Sequence, residues 1–217
     1  MANEAHVAKL KEGVKVWNQW LQDNAGVKPD LRNIILRKAD LSGVNFWGAN
    51  LSRADLSGAN FWGADLRGVD LSDANLRGAN LSDANLKGAN LSRANLREAN
   101  LRDAYLWGSN LNGIDLSATD LSGAKLSHSN LSGANCSGAN FRNTRLHKSN
   151  LSAADLSYAD LSHSDLSEAS LTIIQALGTN FQGAVLTGAC VEDWKINGDT
   201  NLEGIICEYV YLKKVQK

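Results

Sequence analysis

The residues that could do chemistry in this sequence are aspartates, histidines and cysteines, and many of them recur at intervals of five. Asp155, Asp160 and Asp165 are carboxylates of the type that general acid–base catalysis uses. Three of the histidines, His128, His147 and His163, fall in the same periodic region. A period of five would place successive carboxylates on different sides of a coiled chain. A structural role is therefore favoured over catalysis.

Other site chemistry is also disfavoured. The histidines have no cysteine or aspartate at metal-ligand spacing, and the glycines form no phosphate-binding motif. Cys136 and Cys207 fall at positions that we expect to be buried, and we assign Cys190 no role. The sequence predicts no enzyme activity, no cofactor and no bound metal.

The five-residue period itself is the strongest signal in the chain. From Leu36 to Leu171 a large apolar residue opens 28 consecutive steps, and a small residue, usually Ala, precedes it by two positions. A period of five fits neither an α-helix nor a flat strand. It fits a short extended side followed by a corner, because residues two apart in an extended segment point the same way. The chain should wind into a coil with Leu and Ala inside.

The corner residues follow the same logic. Two positions, typically Ser-Gly, Arg-Gly or Ser-Asp, turn the chain after each apolar residue. Gly at the second position permits a positive φ. The fifth residue, usually Asn or Asp, can bond its own backbone and tolerates left-handed φ, so it suits the exit from the corner.

This A(D/N)LXX pattern, over roughly residues 31–212, resembles the pentapeptide-repeat family. The resemblance implies a right-handed quadrilateral β-helix with 20 residues per coil, and hence about nine coils in a rod about 43 Å long. The aromatic spacing alone leaves three or four sides open. With four sides, Arg53, Asp73 and Arg93 should stack as a ladder of alternating charge.

The formal net charge is −1, with acids and bases interleaved along the chain. Family members that inhibit or protect DNA gyrase are understood as acidic mimics of duplex DNA, and this near-neutral chain disfavours that alternative. Direct nucleic-acid binding is not expected either, since the basic residues are not clustered. The favoured function is a non-catalytic interaction, scaffold or regulatory module with an unknown protein partner.

Residues 1–30 are predicted to form an N-terminal capping helix and linker. Its apolar stripe consists of Val7, Leu10, Val14, Trp17 and Leu21. Val14, Trp17 and Leu21 should cover the first coil, because the end of a β-helix exposes apolar core and free strand edges. A membrane-surface or partner-binding helix is the alternative, but the charge is balanced and not basic. The polar start, the absence of a long apolar run and the few cysteines favour a cytoplasmic protein with no membrane contact.

The C-terminal half of the repeat is less regular. Ile173 and Leu177 occupy corner positions, so either the strand bulges there or a small apolar patch is exposed. Beyond Trp194 the phase shifts by one residue, and Trp194 should plug the coil near this shift. Residues 213–217 form a tail. The chain is expected to be a monomer or an end-to-end homodimer through its C-terminal coil.

One column is the candidate partner-binding site. At 20-residue steps, the first corner position along one side reads Trp47, Arg67, Lys87 and Trp107, each followed by Gly. Trp and Arg dominate binding hot spots, whereas Ser is the usual residue at these corners. The structural alternative is that the two cations lie on the two tryptophan rings, Arg67 over Trp47 and Lys87 against Trp107.

Overall fold

A computed structural model describes residues 2–212, in which two short helices precede a β-solenoid. Helix α1 spans Glu4–Lys11 and helix α2 spans Val14–Asp23. The solenoid that follows pairs its coils through single-residue parallel bridges, the first joining Asp30 to Asn50 and the last joining Cys190 to Tyr211. Neither helix is long and apolar enough to cross a membrane.

Bridges between residues 20 apart set the size of each coil. Asp40 pairs with Asn60, Asn60 with Asn80, and the same offset continues to Gln175 and Lys195. Four pentapeptides therefore make one coil, which decides between three and four sides. The charge ladder confirms the register, since Arg93 donates from Nε to Asp73 Oδ1 at 2.8 Å across one coil step.

Each corner is a tight turn with a positive φ at its second position. The N–H of Ala39 donates to the Leu36 carbonyl at 3.3 Å, and Lys38 between them has φ of 54°. The positive φ falls on the second corner residue, the position where the sequence favours Gly, and not on the Asn or Asp at the corner exit. Asn and Asp instead form the bridges, and their side chains accept from the backbone two residues on, as Asn45 does from Trp47 N–H at 3.0 Å.

The interior is filled by the apolar residues of every step. Leu, Phe and Ala at the two inner positions are buried from Leu41 to Ala189, and the buried Cys136 replaces one Leu. Burial raises the pKa of the Cys136 thiol far above its usual range, which suits an inert core residue. Inner hydroxyls find backbone carbonyls, since Ser109 Oγ donates to Leu106 O at 2.6 Å and Thr119 Oγ1 to Leu96 O at 2.7 Å.

The N-terminal segment is two helices and not the single helix predicted from the apolar stripe. Gly13 divides them with φ of 107°, a conformation outside the helical range that glycine adopts readily. Helix α2 packs on the solenoid through Trp17, which is fully buried and donates from Nε1 to Asn45 O at 2.8 Å. Val14 and Leu21 are partly buried against the same core.

The C-terminal part differs from expectation at two places. No bulge occurs at Ile173 and Leu177, because the 20-residue offset runs through them; Ile173 is 54% exposed and Leu177 is half-buried on the next edge. Cys207 is exposed and not buried.

The one-residue phase shift is confirmed, since Asn180 bridges Asn201, and Trp194 stacks on Phe181 at 5.2 Å. The tail at 213–217 lies outside the described residues.

The filled core predicts that a charge inside a coil abolishes folding. Leu96 is fully buried, so Leu96→Lys would bury an unpaired ammonium and should yield no cooperative thermal transition by circular dichroism. Ala118→Lys is the control, because Ala118 is an exposed second corner residue with a positive φ like that of Lys38. It should change the free energy of unfolding by less than about 0.5 kcal/mol. Equal losses in the two variants would contradict the inward and outward assignments.

The backbone at Ile173 predicts a stabilising substitution. Ile173 has φ of 60°, which costs a non-glycine residue roughly 1–2 kcal/mol, and Asn tolerates it better. Ile173→Asn should therefore raise the free energy of unfolding in urea by about 1 kcal/mol. The reverse exchange, Asn143→Ile at φ of 58°, should lower it by a similar amount. A loss of stability in Ile173→Asn would show that the exposed side chain contributes more than the strain costs.

Candidate functional site: a tryptophan edge and its cations

The four residues of the predicted column stand above one another along one edge of the solenoid. Backbone hydrogen bonds of 2.9–3.0 Å join Gly48 N–H to Arg67 O, Gly68 N–H to Lys87 O and Gly88 N–H to Trp107 O. We call Trp47, Arg67, Lys87 and Trp107 the tryptophan column. Trp47 is 61% exposed and Trp107 is 48% exposed, so the column presents two large aromatic surfaces to solvent.

The two cations of the column make different contacts. Lys87 Nζ lies 4.9 Å from the centre of the Trp107 ring, as the structural alternative predicted. Arg67 instead forms a two-pronged ion pair with Asp65, with Nε to Oδ1 at 2.8 Å and Nη2 to Oδ2 at 2.6 Å. Because the guanidinium fork matches a carboxylate, Arg67 is held by Asp65 and the predicted contact with Trp47 was wrong.

The electrostatics around Arg67 follow from this pair. Burial alone would raise the pKa of Asp65, but the hydrogen bonds and charge of Arg67 outweigh it and hold that pKa below its usual value. The same hydrogen bonds raise the pKa of Arg67. The charge of Arg67 is therefore largely neutralised in place, whereas Lys87 contacts the Trp107 ring and forms no ion pair with a described residue.

Trp47 belongs to the N-terminal end of the molecule as much as to the column. It lines a small cavity of about 140 Å³ together with Leu21, in the last turn of helix α2, and with Ala25 and Val27, which follow the helix. The cavity is open to solvent and its lining is mainly apolar. Trp47 therefore lies at the junction between the helices and the solenoid. Its surroundings differ from those of Trp107 for this reason.

Aromatic and cationic contacts continue beyond Trp107, where the sequence had marked no site. The Trp107 ring lies 5.4 Å from His128, and His128 lies 5.9 Å from His147. On the adjoining face, Lys125 Nζ lies 3.7 Å from the centre of the Tyr105 ring. The signal was present in the sequence, because Tyr105, Lys125 and Arg145 are spaced by 20 in one outward column.

The remaining candidates form no site within residues 2–212. Asp155, Asp160 and Asp165 each bridge to their own neighbours on three successive faces, so they do not converge. Asp160 is paired with Arg142 at 3.2 Å. No group of His, Cys, Asp and Glu in this range could hold a metal ion. Ile173 and Leu177 lie on neighbouring edges rather than side by side, and Val14, Trp17 and Leu21 are engaged in packing.

The fold and surface define a class of protein, a four-sided β-solenoid built from five-residue repeats that presents columns of side chains. The description "Pentapeptide repeats (8 copies)" belongs to the family that matches this chain at residues 34–73, 74–105, 99–135 and 134–172. The chain therefore belongs to the pentapeptide repeat family. No curated protein sequence matches it.

Solved structures of the same kind resemble the chain. HetL from the cyanobacterium Nostoc sp. strain PCC 7120 is 30% identical to this chain and is described as involved in heterocyst differentiation regulation. The match covers 89% of this chain and 93% of HetL, with a TM-score of 0.40. Rfr23 from Cyanothece 51142 is 30% identical over 53% of this chain and 88% of its own, with a TM-score of 0.47. A variant of QnrB1, a plasmid-mediated fluoroquinolone resistance protein, is 22% identical over 81% and 88%, with a TM-score of 0.60, and supports the fold alone.

The contact between Lys87 and Trp107 predicts a measurable coupling. In a double-mutant cycle, Lys87→Ser and Trp107→Ser should show a coupling energy of about 0.5–1 kcal/mol in the free energy of unfolding, as expected for an exposed cation–π pair. A cycle of Lys87→Ser with Trp47→Ser is the control, since two coil steps separate those residues, and its coupling should be near zero. Equal coupling energies in the two cycles would refute a specific contact.

Proposed function

We propose that this protein is a non-catalytic interaction module, with a scaffolding or regulatory role, that binds a protein partner through the outer surface of its solenoid. The observation that carries the proposal is the exposure of tryptophans at corners where Ser is the usual residue. Trp47, Trp62 and Trp107 are each about half exposed or more. Exposed tryptophan beside a cation is the residue chemistry of binding hot spots.

The filled interior of the solenoid also supports this proposal. Between residues 41 and 189 the inner positions are filled mainly by Leu, Phe and Ala, together with a few Val, Ile, Cys and small hydroxyl residues, all of them buried. A ligand-sized cavity inside the coil would displace these side chains. Recognition is therefore assigned to the edges and faces, where the repeat tolerates variation.

The alternative, a DNA-mimicking inhibitor or protector of DNA gyrase, is disfavoured by how the carboxylates are neutralised. Such a mimic needs a continuous acidic face. Here an arginine at a corner repeatedly pairs with an aspartate 18 residues later, on the next coil. The pairs are Arg37–Asp55, Arg97–Asp115, Arg102–Asp120 and Arg142–Asp160, at 2.7–4.0 Å.

We also infer a right-handed quadrilateral rod of about nine coils, capped at its N-terminus by helix α2. The contacts that support the cap are those of Trp17, whose ring meets Phe46 edge-on at 5.6 Å, and of Asn18, which donates to Gly43 O and accepts from Asn45 N–H at 2.9 Å each. These bonds satisfy backbone groups that the first coil would otherwise leave open.

The C-terminal coil is the proposed contact in an end-to-end dimer. Ile206, Tyr209 and Leu212 are all more than half exposed there. A second copy of the chain would cover this apolar end, and a monomer is the other outcome of a sedimentation measurement. We place the protein in the cytoplasm, without membrane contact.

The interaction proposal is tested by affinity purification with the tagged full chain as bait, using lysate from cells of its native source. We expect at least one protein to be recovered over a tag-only control. Trp47→Ser with Trp107→Ser restores the usual corner residue, should fold normally, and should lose that protein if the tryptophan column binds it. Recovery of no protein would overturn the proposed function. Equal recovery by both forms would leave the function standing and show that the column serves packing.

A further inference from the structure

The four faces of the solenoid differ in how their outward residues are bonded. On three faces, asparagine amides donate to the residue one coil earlier, as Asn80 does to Asn60 at 3.0 Å, Asn110 to Asn90 at 3.2 Å and Asn135 to Asp115 at 3.3 Å. The fourth face carries Asn45, Asp65, Asn85, Tyr105, Lys125 and Arg145. Within residues 2–212 it has no such ladder bond.

Among the described residues, the fourth face lacks, at its centre, the asparagine hydrogen bonds that stabilise the other three faces. Backbone bridges place Tyr105 beside Lys125 and Lys125 beside Arg145, where Asn or Asp is the usual residue. Two like charges on adjacent positions of a ladder repel each other, and the Asn ladder bonds are lost. Local rules of this kind are broken most often at functional sites, which makes this face a candidate for binding.

The cations of this region also lack the ion pairs found elsewhere. Every arginine from position 32 to 145 has a carboxylate oxygen within 4.0 Å, apart from Arg53 and Arg145. Lys87 and Lys125 contact aromatic rings and form no ion pair with a described residue. Lys87, Lys125 and Arg145 are therefore three cations within three coil steps that form no ion pair with a described residue.

These observations define one surface, which extends from the lower half of the tryptophan column onto the fourth face. We call it the basic–aromatic patch, and it consists of Lys87, Tyr105, Trp107, Lys125, His128 and Arg145. From Lys87 to Arg145 it covers three coil steps, about 14 Å. Tyr105 is 45% and Trp107 is 48% exposed, so aromatic surface lies beside the charges.

We propose that the basic–aromatic patch binds a short acidic segment of the partner protein, an inference that rests on the proposed function. Carboxylates of the segment would pair with Lys125 and Arg145, and its apolar side chains would lie on Tyr105 and Trp107. An extended segment of about four residues matches the length of the patch. Trp47 and Arg67 stand outside it, because Arg67 is already paired with Asp65.

The limits of the patch favour a peptide over single-stranded nucleic acid. Asp65 lies on the same face two coils before Tyr105, and Asp165 follows Arg145 directly. Glu168 contacts Lys148 at 3.4 Å next to the patch. A strand with a phosphate at every nucleotide would continue past the cations and meet these carboxylates, whereas a short acidic segment ends between them.

The test compares two variants of the full chain that lose the same residue types. Trp107→Ser with Lys125→Asn and Arg145→Asn removes the patch and restores the usual repeat residues. Trp62→Ser with Lys38→Asn and Arg53→Asn is the control, since it also removes one exposed tryptophan and two cations without an ion pair, on other parts of the surface. A cooperative thermal transition with a midpoint no lower than that of the parent should establish that each variant folds.

Binding is measured by isothermal titration calorimetry with a peptide of about eight residues, rich in Glu and Asp around one Phe, at about 50 mM salt to limit screening. We expect the patch variant to bind at least about tenfold more weakly than the parent and the control variant. Oligothymidylate of about ten nucleotides is the second probe and should not bind through the patch.

Three results would overturn the proposal: no peptide binding by the parent, equal binding by the patch and control variants, or patch-dependent binding of oligothymidylate in place of the peptide. Each can be distinguished from failure of the proposed function. A partner recovered by the bait chain but retained by the patch variant would keep the interaction role and place it elsewhere on the solenoid.

Discussion

The backbone pairing between coils is the constraint on which the rest of this structure depends. Each coil donates in both directions, as when Leu51 N–H bonds Asp70 O at 2.7 Å and Asn75 N–H bonds Ala54 O at 2.9 Å. Because the chain must return to the same place every 20 residues, each corner needs a residue that accepts positive φ. One insertion, between Lys195 and Asn201, shifts every later pairing to 21 residues.

This pairing divides the functions of the five positions. The two inner positions fill a core too narrow for a ligand, so their identity matters for stability and not for recognition. The bridging position carries hydrogen bonds along the rod, and the corner positions face solvent. Substitutions that leave the core and the turn intact change what the surface presents, which is why binding chemistry can vary along one rod without altering its fold.

The outward side chains of this chain form columns along the rod. The charges in some columns are neutralised by ion pairs, whereas those in other columns are not. Most arginines pair with a carboxylate on the same or an adjacent coil, so much of the surface is close to neutral. Lys87, Lys125 and Arg145 are different, since none of them forms an ion pair with a described residue and the two lysines lie on aromatic rings. Exposed ion pairs contribute little to stability, so the unmatched charges are more informative about binding than the matched ones.

The sequence by itself determined the repeat, the inward Leu and Ala, the phase shift after Trp194 and the burial of Trp17, because a strict period states which residues share an environment. It predicted one N-terminal helix, a bulge at Ile173 as the favoured of two alternatives, and a buried Cys207, and the structure differs at each. Gly13 breaks the helix, a choice that depends on local backbone geometry. The tertiary structure alone decided which side chains meet, since Arg67 turns to Asp65 and Lys125 to Tyr105. The repeat period determines the position of each Cα atom and the face on which it lies. A long side chain can reach several neighbours from that position, so its actual contact depends on how the adjacent coils pack.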